Sequence, residues 1–230
     1  MNILLAILLL SGFVYAGGSK FDTGEKIYKQ TCVSCHGVDG SANTGISFIV
    51  NPRNLNRTIL TEEQSYQIIK KGAHFNGASA DIMPSFESVF NEEELRSVTG
   101  YITKNFNTES EQRVKKLMDE SAKIDPAKKA KMLKRGKKIY GRNCSWCHGV
   151  IADGNGDATR NPEMSIFPYN LNKSLLSKDQ MFLYSKHGGK FWGTAKNDMP
   201  SWSKKYDDYT LHSVVMYVKE VLGAKNETDK

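Results

Sequence analysis

Cysteine is scarce in this 230-residue chain, with four copies confined to two short segments. Outside those segments none is left for a disulfide, a zinc site or a catalytic thiol. Proline is also sparse, at six, and no run alternates polar and apolar residues with period two. That combination argues for helices joined by loops and against sheet. Long apolar runs are missing beyond the N-terminus, and spanning a bilayer as a helix takes about 20 such residues. Residues 1–16 contain only about 13 apolar residues and end in Val14-Tyr15-Ala16. This segment carries no Lys or Arg, yet its shortness and small-residue end fit a cleaved export signal better than an anchor. The mature protein is expected to start near Gly17 and to be soluble and periplasmic.

The cysteines that are present form one signature twice: Cys32-Val33-Ser34-Cys35-His36 and Cys144-Ser145-Trp146-Cys147-His148. Cys-x-x-Cys-His is the attachment site of a c-type haem. Two residues between the thiols suit one helical turn, so both sulfurs and the imidazole can face one porphyrin edge. The rivals are a redox dithiol and half of a zinc site. Two copies, each with its histidine and with no cysteine besides, select two covalently bound haem c groups.

The motifs belong to a longer internal repeat. Gly24 and Tyr28 match Gly136 and Tyr140 at an offset of 112, which the haem motifs share. At an offset of 116, Pro52-Arg53-Asn54-Leu55-Asn56 matches Pro168-Tyr169-Asn170-Leu171-Asn172, and Met83-Pro84-Ser85 matches Met199-Pro200-Ser201. Val98 and Tyr101 match Val214 and Tyr217. Two similar domains are expected, at residues 17–107 and 131–224, joined by a linker at 108–130 and followed by a polar tail at 225–230. Capping signals predict helices opening at Asp22, Thr61, Asn91 and Thr108 in the first part, and at Asp125-Pro126 and Ser177 in the second. A last helix is expected over 208–222. In the linker, Val114, Leu117, Met118 and Ala122 recur at helical spacing among charges, as in an amphipathic helix lying on the protein. Gly24 and Gly136 should let their helices approach the final helix of each domain.

The net charge of +7 is uneven: −1 over residues 17–107, +4 over 108–135 and +4 over 136–230. An exported haem protein is not expected to meet nucleic acid. The basic half instead suits an acidic surface on a redox partner, or peripheral association with an anionic membrane.

His36 and His148 are the proximal iron ligands by position. For the sixth position, Met83-Pro84 and Met199-Pro200 lie 47 and 51 residues after their histidines. A thioether raises the potential and closes the iron to substrate. The other methionines do not recur between the halves, and neither do the competing His74, His187 and His212, which read as surface residues or residues near the haem.

The order of these features resembles the class I cytochrome c family over residues 22–105 and 134–222. Within it, the chain looks like tandem dihaem cytochromes of the c4 type and the dihaem subunits of periplasmic oxidoreductases. The resemblance implies an all-α fold, with each domain a few helices and long loops wrapped around one haem. It also implies that the carbonyls of Pro52 and Pro168 accept from the proximal histidines, in a Pro-Asn-Leu segment carrying one inserted residue here. Three functions follow as expectations. The first is a one-electron carrier between respiratory donor and acceptor proteins, with no catalytic residues. The second is a dedicated subunit of a periplasmic dehydrogenase or reductase. The third is a dihaem peroxidase or thiosulfate-oxidising enzyme, which two closed irons and the lack of a spare cysteine disfavour. The oligomeric state is not assigned.

Overall fold

The computed structural model describes residues 20–78, 83–119, 126–161, 168–193 and 199–223. The expected export signal at 1–16 and the tail at 225–230 lie outside these residues. Among the described residues the chain is helical, without strands. Among these described residues no helix is long and apolar enough to cross a membrane.

The first half runs α1 (Lys20–Ile27), a π-turn (Tyr28–Cys32), α2 (Val33–His36), α3 (Ser47–Val50), α4 (Glu62–Lys71) and α5 (Glu92–Phe106). The linker forms α6 (Ser110–Asp119), and the second half runs α7 (Lys129–Asn143), α8 (Ser145–His148), α9 (Lys178–His187) and α10 (Asp208–Tyr217). The boundaries of α4 and α9 follow local chemistry. Thr61 accepts from the Gln64 amide at 3.2 Å and Gln64 accepts from Thr61 at 2.9 Å. Ser177 and Gln180 repeat the box, and Gly72 and Gly188 end the two helices at positive φ. Asn91 and Glu94 cap α5 in the same way.

Two expected starts are corrected. Helix α1 is already under way at Lys20, so Asp22 lies inside it rather than capping it. Helix α6 begins at Ser110, after a turn in which the Ser110 amide donates to Asn107, so Thr108 is not its cap. Pro126 opens a 3₁₀ turn that leads into α7, as a proline without an amide proton can. Asp125 and Ala122 fall outside the described residues.

Close glycine contacts position the haem motifs. A Cβ on Gly24 would lie 2.2 Å from the Ser97 carbonyl oxygen, and one on Gly136 would lie 2.0 Å from that of Ser213. Helices α1 and α7 thus cross α5 and α10 at backbone contact, with Tyr28 against Tyr101 and Tyr140 against Tyr217. One apolar cluster gathers Tyr28, Tyr66, Leu95 and Val98, and a second gathers Tyr140, Phe182, Leu183, Trp192 and Leu211. Val114, Leu117 and Met118 of α6 pack on the second cluster, so the linker helix lies on the protein.

The two halves also meet each other by a reciprocal set of bonds. Asn54 N–H donates to Gly193 O at 3.0 Å, and Asn170 N–H donates to Gly77 O at 2.6 Å. Gln64 donates to Gln180 at 2.9 Å and accepts from it at 2.8 Å. The same two amides reach the Leu175 and Ile59 carbonyls, each at 2.7 Å. Each partner has its counterpart 116 positions on, Asn54 with Asn170, Gly77 with Gly193, Gln64 with Gln180 and Ile59 with Leu175, so the repeats are related by a pseudo-two-fold axis.

Candidate haem sites

Each Cys-x-x-Cys-His segment ends in a loop that turns three times through positive φ: at Gly37, Gly40 and Ala42, and at Gly149, Ala152 and Gly154. Backbone bonds close the loop onto the histidine, with Ala42 N–H donating to His36 O and Gly154 N–H to His148 O, both at 2.9 Å. The Tyr28 and Tyr140 hydroxyls donate to Gly37 O and Gly149 O at 2.7 Å.

The histidine rings are fixed from behind. His36 Nδ1 donates to Arg53 O at 3.0 Å, and His148 Nδ1 donates to Tyr169 O at 3.1 Å. That bond places the proton on Nδ1 and leaves Nε2 as the nitrogen able to bind a metal. Burial holds both imidazoles below their usual pKa, against the pull of the carbonyls. This corrects the expected acceptors, Pro52 and Pro168, by one residue. The register is counted from Asn-Leu and not from proline. Asn54 caps the turn that follows, the Leu55 amide is tied to Gly40 O, and the Asn56 side chain is tied to Asp39 O. The carbonyl facing the histidine is therefore the one just before the asparagine.

The thiols sit where a macrocycle could take them and not where a reactive dithiol would. Burial, with Cys35 beside it, pushes the Cys32 thiol up to about 11, and burial with Cys147 nearby pushes Cys144 up to about 12. Redox dithiols and metal thiolates need the opposite shift. Among the described residues no group of three His, Cys, Asp or Glu side chains could hold a metal ion. The donor set, two thiols and one oriented imidazole on a one-turn helix, fits a haem.

The Met-Pro-Ser loops are held alike in both halves. Ala73 N–H donates to Met83 O at 2.9 Å, and Gly189 N–H donates to Met199 O at 2.8 Å. Ser85 and Ser201 hydroxyls donate to Lys70 O and Lys186 O at 2.7 Å. Met83 packs on the first apolar cluster with Cys32, and Met199 lines one cleft with Cys144, Trp202 and Leu211. The structure thus brings each methionine to the cluster or cleft of its own half's first cysteine.

The remaining histidines do other things. His74 bonds Ala78 O at 3.2 Å, and His187 stacks on Phe191 at 4.7 Å. His212 is buried, which corrects a surface reading; its ring lies parallel to Phe182 at 3.7 Å. It fills the place of Arg96, whose guanidinium lies 3.4 Å above the Tyr66 ring.

Two haem-type attachment motifs on a repeated helical frame define a tandem class I cytochrome c. The chain belongs to the family described as cytochrome C oxidase, cbb3-type, subunit III, whose profile matches residues 19–102 and 131–218. That membership makes it a cytochrome of the haem-binding type. It is 25% identical over 231 residues to the Cbb3-type cytochrome c oxidase subunit CcoP of Azospirillum sp. (strain B510), covering 94% of this chain and 65% of that protein. The FixPc subunit of Rhizobium leguminosarum bv. viciae is 24% identical, over 93% of this chain and 63% of its own length. The chain thus spans just under two thirds of the curated relatives it matches. Among solved structures, a chain of the Kuenenia stuttgartiensis reducing HAO-like protein complex Kustc0457/Kustc0458 matches with a TM-score of 0.46. Its identity is 23%, over 87% of this chain and 96% of that one.

Proposed function

We propose that this protein is a periplasmic dihaem electron relay, with residues 17–107 and 131–224 each carrying one covalent haem c. Cys32 and Cys35 bind the first porphyrin and Cys144 and Cys147 the second. His36 and Met83 would hold the first iron, and His148 and Met199 the second. Each haem would supply a one-electron couple, and an iron held by both its histidine and its methionine would offer no place for a substrate. The observation that carries this reading is the matched anchoring of Met83 and Met199. Both are held by an amide at the end of the preceding helix and by the serine two residues on.

The protein's own residues orient the imidazoles, hold the methionine loops and shape a docking face. Helix α7 carries seven cations and no acid, and it runs directly into the second haem motif. At that end Trp146, Val150 and Ile151 are 51%, 79% and 55% exposed. An apolar tip beside a basic helix suits brief contact with an acidic redox protein. The relatives named as oxidase subunits favour a second form of the same reading, in which the relay serves within a larger respiratory complex.

Stopped-flow reduction of the haem-loaded protein by an acidic flavodoxin tests this reading. The rate constant should fall by roughly tenfold as salt shields the encounter. Reversing Lys134, Lys137, Lys138 and Arg142 to glutamate should remove that dependence. Rapid consumption of peroxide or thiosulfate, with slow electron exchange at every salt concentration, would overturn it.

A further inference from the structure

The two residues whose carbonyls hold the histidines, Arg53 and Tyr169, occupy the same place in the repeat and face each other. The Arg53 guanidinium lies 5.3 Å from the Tyr169 ring centre and 5.4 Å from that of Tyr184, and it donates to the Tyr184 hydroxyl. Among the described residues it forms no ion pair with a carboxylate. A residue on a two-fold axis meets its own counterpart. Identical copies would therefore have set one guanidinium against another. Tyrosine in the second copy removes that repulsion and offers the remaining cation an aromatic face.

The result is one charge shared by two sites. The Arg53 carbonyl accepts the hydrogen bond from His36 Nδ1, while the ring beside its guanidinium belongs to Tyr169, whose carbonyl accepts from His148 Nδ1. The next residue of each loop is bonded to the opposite half, Asn54 to Gly193 and Asn170 to Gly77. Each loop is thus anchored on the other half of the chain. A cation in a partly dehydrated interface acts over a longer range than one in water. It opposes the gain of positive charge when an iron is oxidised.

We propose that Arg53 is a positioning residue common to both haem sites, and that its single charge on the pseudo-two-fold axis favours the reduced state of both irons. The proposal rests on the reading that both motifs carry haem, so the haem content of the full-length protein is measured first. Optical redox titrations then compare the wild type with Arg53→Met and Arg53→Lys. Arg53→Met should lower the reduction equilibrium of both haems by at least about threefold. Arg53→Lys keeps the charge but loses the planar fork. It should hold both equilibria within about twofold of wild type, even as thermal stability falls. Arg53→Gln, closer in polarity, is read by the same criterion if the Met variant does not load. Fewer than two haems in the wild type would overturn the underlying reading together with the proposal. Two haems with one or neither equilibrium moved in the charge-removing variant would overturn the proposal alone, whatever happens to the melting temperature.

Discussion

Tyr28 and Tyr140 are legible in the sequence as partners of Tyr101 and Tyr217, one helical turn after a glycine. Their hydroxyls are not, because each meets a backbone carbonyl nine positions on, beyond the haem motif. Burial pushes both phenols well above their usual range, which keeps them as donors. Tyr140→Phe removes the shorter of two bonds to the Gly149 carbonyl, leaving the Ala152 amide at 3.2 Å, and should cost about 1 kcal/mol of stability by denaturant unfolding. The acceptor register shows the same limit. Pro52 and Arg53 are equally plausible by spacing, and the choice falls to Arg53 because Asn54 and Leu55 are tied down first. Backbone carbonyl direction is a property of the turn, and the turn is set by contacts with Asp39 and Gly40.

Helices were the most readable level. The capping boxes of α4, α5 and α9, and the glycines that close α4 and α9, stand where side-chain chemistry places them. Asp22 and Thr108 misled because an acceptor followed by Glu is a local signal, and local signals yield where the chain is helical further upstream or turns later. The helix crossings rest on missing side chains. A methyl at Gly136 would meet the Ser213 carbonyl and the Tyr217 Cβ, so Gly136→Ala should destabilise by about 1–3 kcal/mol, read from the thermal midpoint. Within α10, His212 replaces the arginine of α5 and gives up its ion pairs. Burial holds its imidazole below the usual value, against Asp208 and Asp179 and with Lys186 adding to the shift. The folded state therefore takes up its proton less readily than the unfolded chain. Stability from this group is present above the ordinary imidazole value of about 6.5 and is lost as pH falls below it. Melting curves from pH 7.5 to 5.5 should decline more in the wild type than in His212→Gln.

For the whole molecule, duplication was visible in the sequence as two offsets, but the axis relating the copies was not. Gln64 and Gln180 read only as the third residues of two capping boxes; their amides also bond each other across the repeat. Periodicity within a helix carries no information about contacts between residues 116 positions apart. The difference between the copies is now interpretable at this scale. The first half presents paired charges around Arg96, Glu63 and Glu92, whereas α7 of the second presents a row of cations beside the exposed Trp146.

The central claim, two closed irons each bound by histidine and methionine, is most directly tested by absorption spectroscopy of the haem-loaded protein with carbon monoxide. The ferric protein should show the weak far-red sulfur-to-iron band at an intensity that accounts for two haems. Met83→Ala and Met199→Ala should each remove about half of it. The reduced wild type should leave carbon monoxide unbound. A missing band, or prompt carbon monoxide binding at either iron, would contradict the account.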